Sequence, residues 1–236
     1  MTSVFNNLWL SDLSPGVKRP KKKVATEKAE IPQLAYPKPW CDEAEFLRTI
    51  GDHKMVVLFD NGLMRHLRFS DGSFNRWFEI ITWAGKLAIS GDMGAFVFSR
   101  VEDMFTFFRG EQEGSLKINP GYWAEKCIAQ DRHGLRRFDP DYFKARIHEW
   151  LQDSDISVDC WEEIQAEVLS QADEGEEVAM RSAIEFRSED GFVFQDFWEA
   201  DCKVHTYHYL WCLYAIVWGI RQYDALKVER IEKGPK

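Results

Sequence analysis

The sequence contains no C-x-x-C pair, and its five cysteines (Cys41, Cys127, Cys160, Cys202 and Cys212) are odd in number and far apart. That spacing excludes a zinc ribbon and disfavours a disulfide framework, so reduced thiols are expected. With 8 prolines and 15 glycines the chain is neither collagen-like nor of low complexity. A membrane helix needs roughly 20 clean apolar residues. The most apolar run, 204–220, is interrupted by His205, Tyr207, His208 and Tyr209, and a buried helix is expected there. Met1-Thr2-Ser3-Val4-Phe5-Asn6 lacks the basic-then-apolar pattern of a secretory signal. Positive charge is in deficit, 30 Lys and Arg against 39 Asp and Glu for a net −9, which argues against a protein that coats nucleic acid. The patterns G-x-x-x-x-G-K-[ST], G-x-G-x-x-G, G-x-S-x-G and H-E-x-x-H are also missing. No phosphate cradle, nucleophile elbow or zinc-protease site is indicated, and no cofactor or metal is expected.

What is abundant is aromatic. Seventeen Phe and ten Trp in 236 residues exclude wholesale disorder and give enough apolar bulk for a core without staples. Charge is unevenly spread. Residues 1–40 carry seven basic and three acidic side chains, with Pro15, Gly16, Pro20, Pro32, Pro37 and Pro39 punctuating them. They read as an extended basic arm with apolar ends, Phe5-Leu8-Trp9-Leu10 and Tyr36 to Trp40. Trp9, Leu10, Tyr36 and Trp40 are its candidate contacts with a partner or a second subunit.

Residues 41–236 read as a single α+β domain, with a small antiparallel meander sheet over 54–98 and helices over 99–236 packed on it. Asp42 with Glu45 forms a capping box for a helix to Ile50. Residues 54–60 and 63–69 flank Asn61-Gly62, a hairpin dipeptide, and strands follow over 74–83, 86–90 and 95–98. The connections are too short for parallel crossovers. Within 74–83, Trp77, Glu79, Ile81 and Trp83 share one face, and Phe78, Ile80 and Thr82 the other. Ser99 with Glu102 predicts a helix over 101–109. Asn119-Pro120 and Asp139-Pro140 predict helices over 120–130 and 140–152. Further helices are expected over 158–171, 176–187 and 201–226, with a strand over 191–197.

Candidate chemistry is sparse. Cys202, His205 and His208 rotate progressively around the predicted last helix, so they read as core residues rather than as a metal site. Asp92 in Gly91-Asp92-Met93-Gly94 reads as a turn former. An enzyme of unfamiliar type, metal- or carboxylate-dependent, would require several of Asp92, His66, Glu79, His205 and His208 to converge in one pocket. A DNA-binding regulator would use the basic cluster Lys18 to Lys23. The strongest signal is acidic: between Glu149 and Asp190 fourteen carboxylates face only Arg181 and Arg187. Glu162, Glu163, Glu167, Asp173, Glu174, Glu176 and Glu177 form its centre and are the candidate partner-binding residues, suited to a basic surface such as the DNA groove of another protein.

The stretch F-E-I-I-T-W-A-G-K-L-A-I-S-G-D-M-G-A-F-V-F-S-R over 78–100, followed by Asp103-Met-Phe-Thr-Phe-Phe-Arg109, resembles a family of phage and prophage proteins. These share I-T-W-x-G, G-D-x-G and V-F-S-R…D-M-F-x-F-F-R. The resemblance covers about 32 continuous positions, with weaker similarity over 118–150. It is similar to the phage anti-Gabija proteins, inhibitors of a bacterial nuclease-helicase defence complex. That resemblance implies a non-enzymatic inhibitor in the cytoplasm of the infected host. Such a protein would oligomerise around the defence nuclease and stop it from binding or cutting DNA. The matching residues are core and turn residues, so none carries a functional role across. Direct nucleic-acid and membrane contacts are not expected.

Overall fold

A computed structural model describes residues 27–109 and 114–233. The expected α+β architecture is present, with a six-stranded antiparallel meander in sequence order: β1 (Lys54–Asn61), β2 (Met64–Ser70), β3 (Phe78–Trp83), β4 (Lys86–Gly91), β5 (Gly94–Ser99) and β6 (Cys127–Gln130). Gly62 and Gly85 adopt positive φ at the hairpin turns, 63° and 75°, where only a residue without Cβ turns freely. Strand alternation decides the faces. Leu67, Phe69, Phe78, Ile80, Leu87, Ile89, Phe96 and Phe98 point inward and are buried, while Glu79, Ile81 and Trp83 lie on the other face.

The inner face is covered by α1 (Glu43–Ile50), α2 (Met104–Phe108) and the long α7 (Tyr207–Lys233). The apolar run near the C-terminus is the buried helix its composition predicts: residues 209–213, 215–217 and 220 are all buried. Gly219 sets the approach to the sheet, since a Cβ there would lie 2.7 Å from Ile80 Cδ1 and 3.0 Å from Phe69 Cζ. Phe69 in turn stacks on Phe78 at 4.5 Å. Each such ring removed from water contributes roughly 1.5–3 kcal/mol.

A second hydrophobic cluster gathers α4 (Pro140–Leu151), α5 (Val158–Glu167), a 3-10 turn (Leu169–Glu174) and α6 (Glu176–Glu185) around Phe143, Ile147, Leu151, Ile164 and Phe197. Local capping fixes these helices as the side chains require. Asp42 accepts from the Glu45 amide at 2.8 Å, Asp139 from Tyr142 at 2.8 Å and Ser157 from Cys160 at 3.1 Å. Residues 27–40 run along this cluster. Ala29 donates to the Ile156 carbonyl and Val158 to that of Glu27, at 2.9 and 3.0 Å.

Several sequence expectations are corrected. α3 spans only Pro120–Ala124, and the remainder of the expected helix becomes β6 because β5 offers it an open ladder, with Val97 facing Ala129. Residues 203–205 do not open the last helix; Lys203–His205 (β8) pairs with Arg136–Phe138 (β7) in a separate two-stranded ribbon. Residues 74–77 are not strand, since Arg76 takes φ 53° and is held by Asp92. The cap of α2 is Asp103, not Ser99, and Ser99 donates instead to the Gly85 carbonyl. The expected strand over 191–197 is irregular: Phe192, Phe194 and Phe197 pack ring against ring rather than along a ladder. The helix expected over 158–171 ends at Glu167 and tightens into the 3-10 turn.

Candidate functional site

The acidic candidates lie on α5, the 3-10 turn and α6. Glu162, Glu167, Asp173, Glu174, Glu176 and Glu177 are exposed and Glu163 is half-buried. Three are neutralised: Asp173 by Lys144 at 3.0 Å, Glu176 by Lys203 at 2.9 Å, and Glu177 by Arg181. Glu163 accepts from the Glu189 amide at 3.1 Å. Glu162, Glu167 and Glu174 have no cation within ion-pair reach among the described residues. Amphipathic periodicity produces this display, because Cys160, Ile164, Ala179 and Ala183 occupy the buried stripes of the same helices.

The arm candidates divide. Trp9 and Leu10, with the Lys18 to Lys23 cluster, lie outside the described residues. Tyr36 packs against Tyr142 with ring centroids 4.7 Å apart and the planes tilted by 42°, and it donates to Glu149. The Arg137 guanidinium sits 3.2 Å above the centre of the Trp40 ring. Both aromatic residues therefore have partners within the chain.

The titratable residues singled out for an enzyme reading occupy different places. His66 and Glu79 pair at 2.8 Å on the outer sheet face, and Arg68 also donates to Glu79. Burial opposes ionisation of Glu79, but the hydrogen bonds from His66 and Arg68 outweigh it and hold the carboxyl below its usual range. Asp92 accepts from the Arg76 amide at 2.8 Å and donates its own amide to Trp77 at 3.0 Å. His208 stacks face to face on His133 at 3.9 Å. Burial, with His133 beside it, pushes the His208 imidazole below its ordinary basicity. His205 lies elsewhere, on β8. Among the described residues no three His, Cys, Asp or Glu side chains are placed to hold one metal ion. Nor is any described helix long and apolar enough to cross a membrane.

A concave feature escaped the sequence reading. Residues 37–39, the start of α3, β7, α4 and β8 together enclose a cleft of about 310 Å³ with Lys38, Arg136, Tyr142, Lys203 and His205 in its wall. These residues come from segments far apart in the chain, and nothing in their local spacing announces them.

Fold and surface together define an α+β protein with an antiparallel meander and one strongly acidic helical face. The chain matches no family model, no curated protein and no solved structure.

Proposed function

We propose that this chain is a non-enzymatic inhibitor that binds a host protein through its acidic helical face. The phage resemblance directs that reading to a bacterial defence complex of the Gabija nuclease-helicase type, in the cytoplasm of an infected cell. The observation that carries it is the row of exposed carboxylates on α5 to α6, of which Glu162, Glu167 and Glu174 lack a neutralising cation among the described residues. Unpaired surface acids repel one another and do little for the fold, but they attract a basic groove and accelerate docking to it. Competition with DNA for that groove stops cleavage without any chemistry by the inhibitor. It requires no cofactor, no nucleic acid and no membrane. Self-association around the target completes the proposal.

The test is a titration of purified nuclease-helicase with this chain, read both by complex formation and by DNA cleavage. Binding should be salt-sensitive and should compete with DNA. The triple reversal Glu162→Lys, Glu167→Lys and Glu174→Lys should weaken it by about tenfold or more at low salt. A folded chain that forms no complex, or a triple variant that inhibits as well as the parent, would end the proposal.

A further inference from the structure

The cleft between residues 37–39 and the β7–β8 ribbon has a chemistry distinct from the acidic face. Its lining includes three cations, Lys38, Arg136 and Lys203, and not one carboxylate. Lys38 is exposed and has no ion-pair partner among the described residues. Arg136 and Lys203 are held by Asp201 at 2.6 Å and by Glu176 at 2.9 Å, acids that are themselves about half exposed. Exposed ion pairs of this kind are weak, so an incoming anion can share or displace them with little loss. His205 lies in the same wall, with its Nδ1 closed off from solvent. Burial, then the nearby Arg136, lowers the basicity of this imidazole, so it offers a neutral polar contact rather than a fourth charge. Tyr142 and the flanking Pro39 and Pro120 supply apolar walls. A volume of about 310 Å³ falls at the small end of metabolite pockets and is too narrow for a macromolecular surface.

We infer that this cleft binds a small organic anion of at least two negative charges, a phosphate ester or a polycarboxylate, with its charge on Lys38, Arg136 and Lys203 and a polar group against His205. The site goes beyond the inhibitor reading and stands whether or not that reading holds. Pyrophosphate, ADP and citrate are the probes, each titrated into the full chain by calorimetry and by thermal shift. At least one should saturate and raise the melting temperature. Saturation by pyrophosphate or ADP alone would identify a phosphate site, and by citrate alone a polycarboxylate site. Lys38→Ala removes a side chain that holds nothing in the fold and should weaken the binding probe about tenfold, as loss of one charge-assisted hydrogen bond does. Lys203→Met should weaken it comparably. In nitrogen-detected NMR the His205 ring should shift on saturation. Failure of all three probes to saturate, or affinity unchanged in both variants, would overturn the assignment.

Discussion

The ion pair between Arg65 and Asp103 gives the sharpest test of how the sheet and α2 are joined. The guanidinium makes two hydrogen bonds to the carboxylate, at 2.9 and 3.1 Å, and lies 4.5 Å above the Phe105 ring. The Arg65 side chain is only 9% exposed and that of Asp103 28%. Asp103 also caps α2 through the Phe105 amide at 3.0 Å. Asp103→Asn keeps a capping oxygen and removes only the charge, leaving a buried cation without its counter-ion. Breaking a fully buried pair costs about 3–5 kcal/mol. Because water reaches part of the Asp103 carboxylate, the expected loss is about 2–3 kcal/mol, or roughly 4–12 °C in Tm for a chain of this size. Arg65→Met strands a more hydrated group and should cost about 2 kcal/mol. The double variant replaces the pair by uncharged groups and should cost no more than the worse single, a coupling of about 1.5 kcal/mol or more. Urea unfolding followed by tryptophan fluorescence provides the measurement. If the two single losses add to within about 0.5 kcal/mol in the double variant, the pair is not coupled and the reasoning fails.

Three other outcomes follow from single observations. Gly219→Val puts branched carbon against Ile80 and Phe69 where even a Cβ would be 2.7 and 3.0 Å away, so α7 must lift; a loss of about 3 kcal/mol is expected by urea unfolding, against a negligible change for Gly121→Val, where an added Cβ meets nothing within 4 Å. The lowered pKa of Glu79 makes its stabilisation complete above the ordinary carboxylate value of about 4.3 and lost as pH falls through its lower folded value. Glu79→Gln should therefore be less stable than the parent at pH 6 and equally stable near pH 2, and a constant difference across that range would contradict the assignment. Burial raises the Cys41 thiol to about 12 and that of Cys202 to about 11, and Cys160 and Cys212 are buried as well. A disulfide reagent at pH 8 should therefore modify at most Cys127 until the chain unfolds; rapid labelling of two or more thiols in the folded protein would refute the packing described.

The meander was legible because its information is local. Asn61-Gly62 and Ala84-Gly85 mark turns, and alternation between them assigns Phe78 and Ile80 inward and Glu79 and Ile81 outward without reference to the rest of the chain. β6, β7 and β8 are three or four residues long, and they become strands through partners far away in sequence, as Val97 does for Ala129 and Arg137 for Val204. No local pattern competes with a ladder of that kind, which explains why 127–130 and 203–205 read as helix. Phe192 and Phe194 alternate like a strand, but together with Phe197 they meet as a ring cluster. The acidic face was legible from counting charges, since helix surfaces keep their charges in solvent. The cationic cleft was not, because Lys38, Arg136 and Lys203 meet only through the tertiary fold.

The residues over 78–109 from which a phage family is expected have structural roles in this chain. Gly91 lies against backbone, where a Cβ would be 2.2 Å from the Trp77 carbonyl oxygen. Asp92 ties down Arg76. At Gly94 a Cβ would be 2.4 Å from Asp131 Oδ2, the atom that receives the Ala95 amide. Ser99 closes the turn at Gly85, Asp103 holds Arg65 and α2, Phe105 and Phe108 fill the core, and Arg109 clamps Asp224 on α7 at 2.8 Å. Substitution at these positions should first lower stability and only through it any binding. Glu162, Glu167 and Glu174 are the converse: exposed, outside the signature and unpaired, they can be reversed to lysine with little change in Tm. The two groups of variants therefore separate fold from recognition. If reversal of the acids abolishes partner binding while the melting temperature stays within about 2 °C, the acidic face is a recognition surface rather than a solvated flank of the second core.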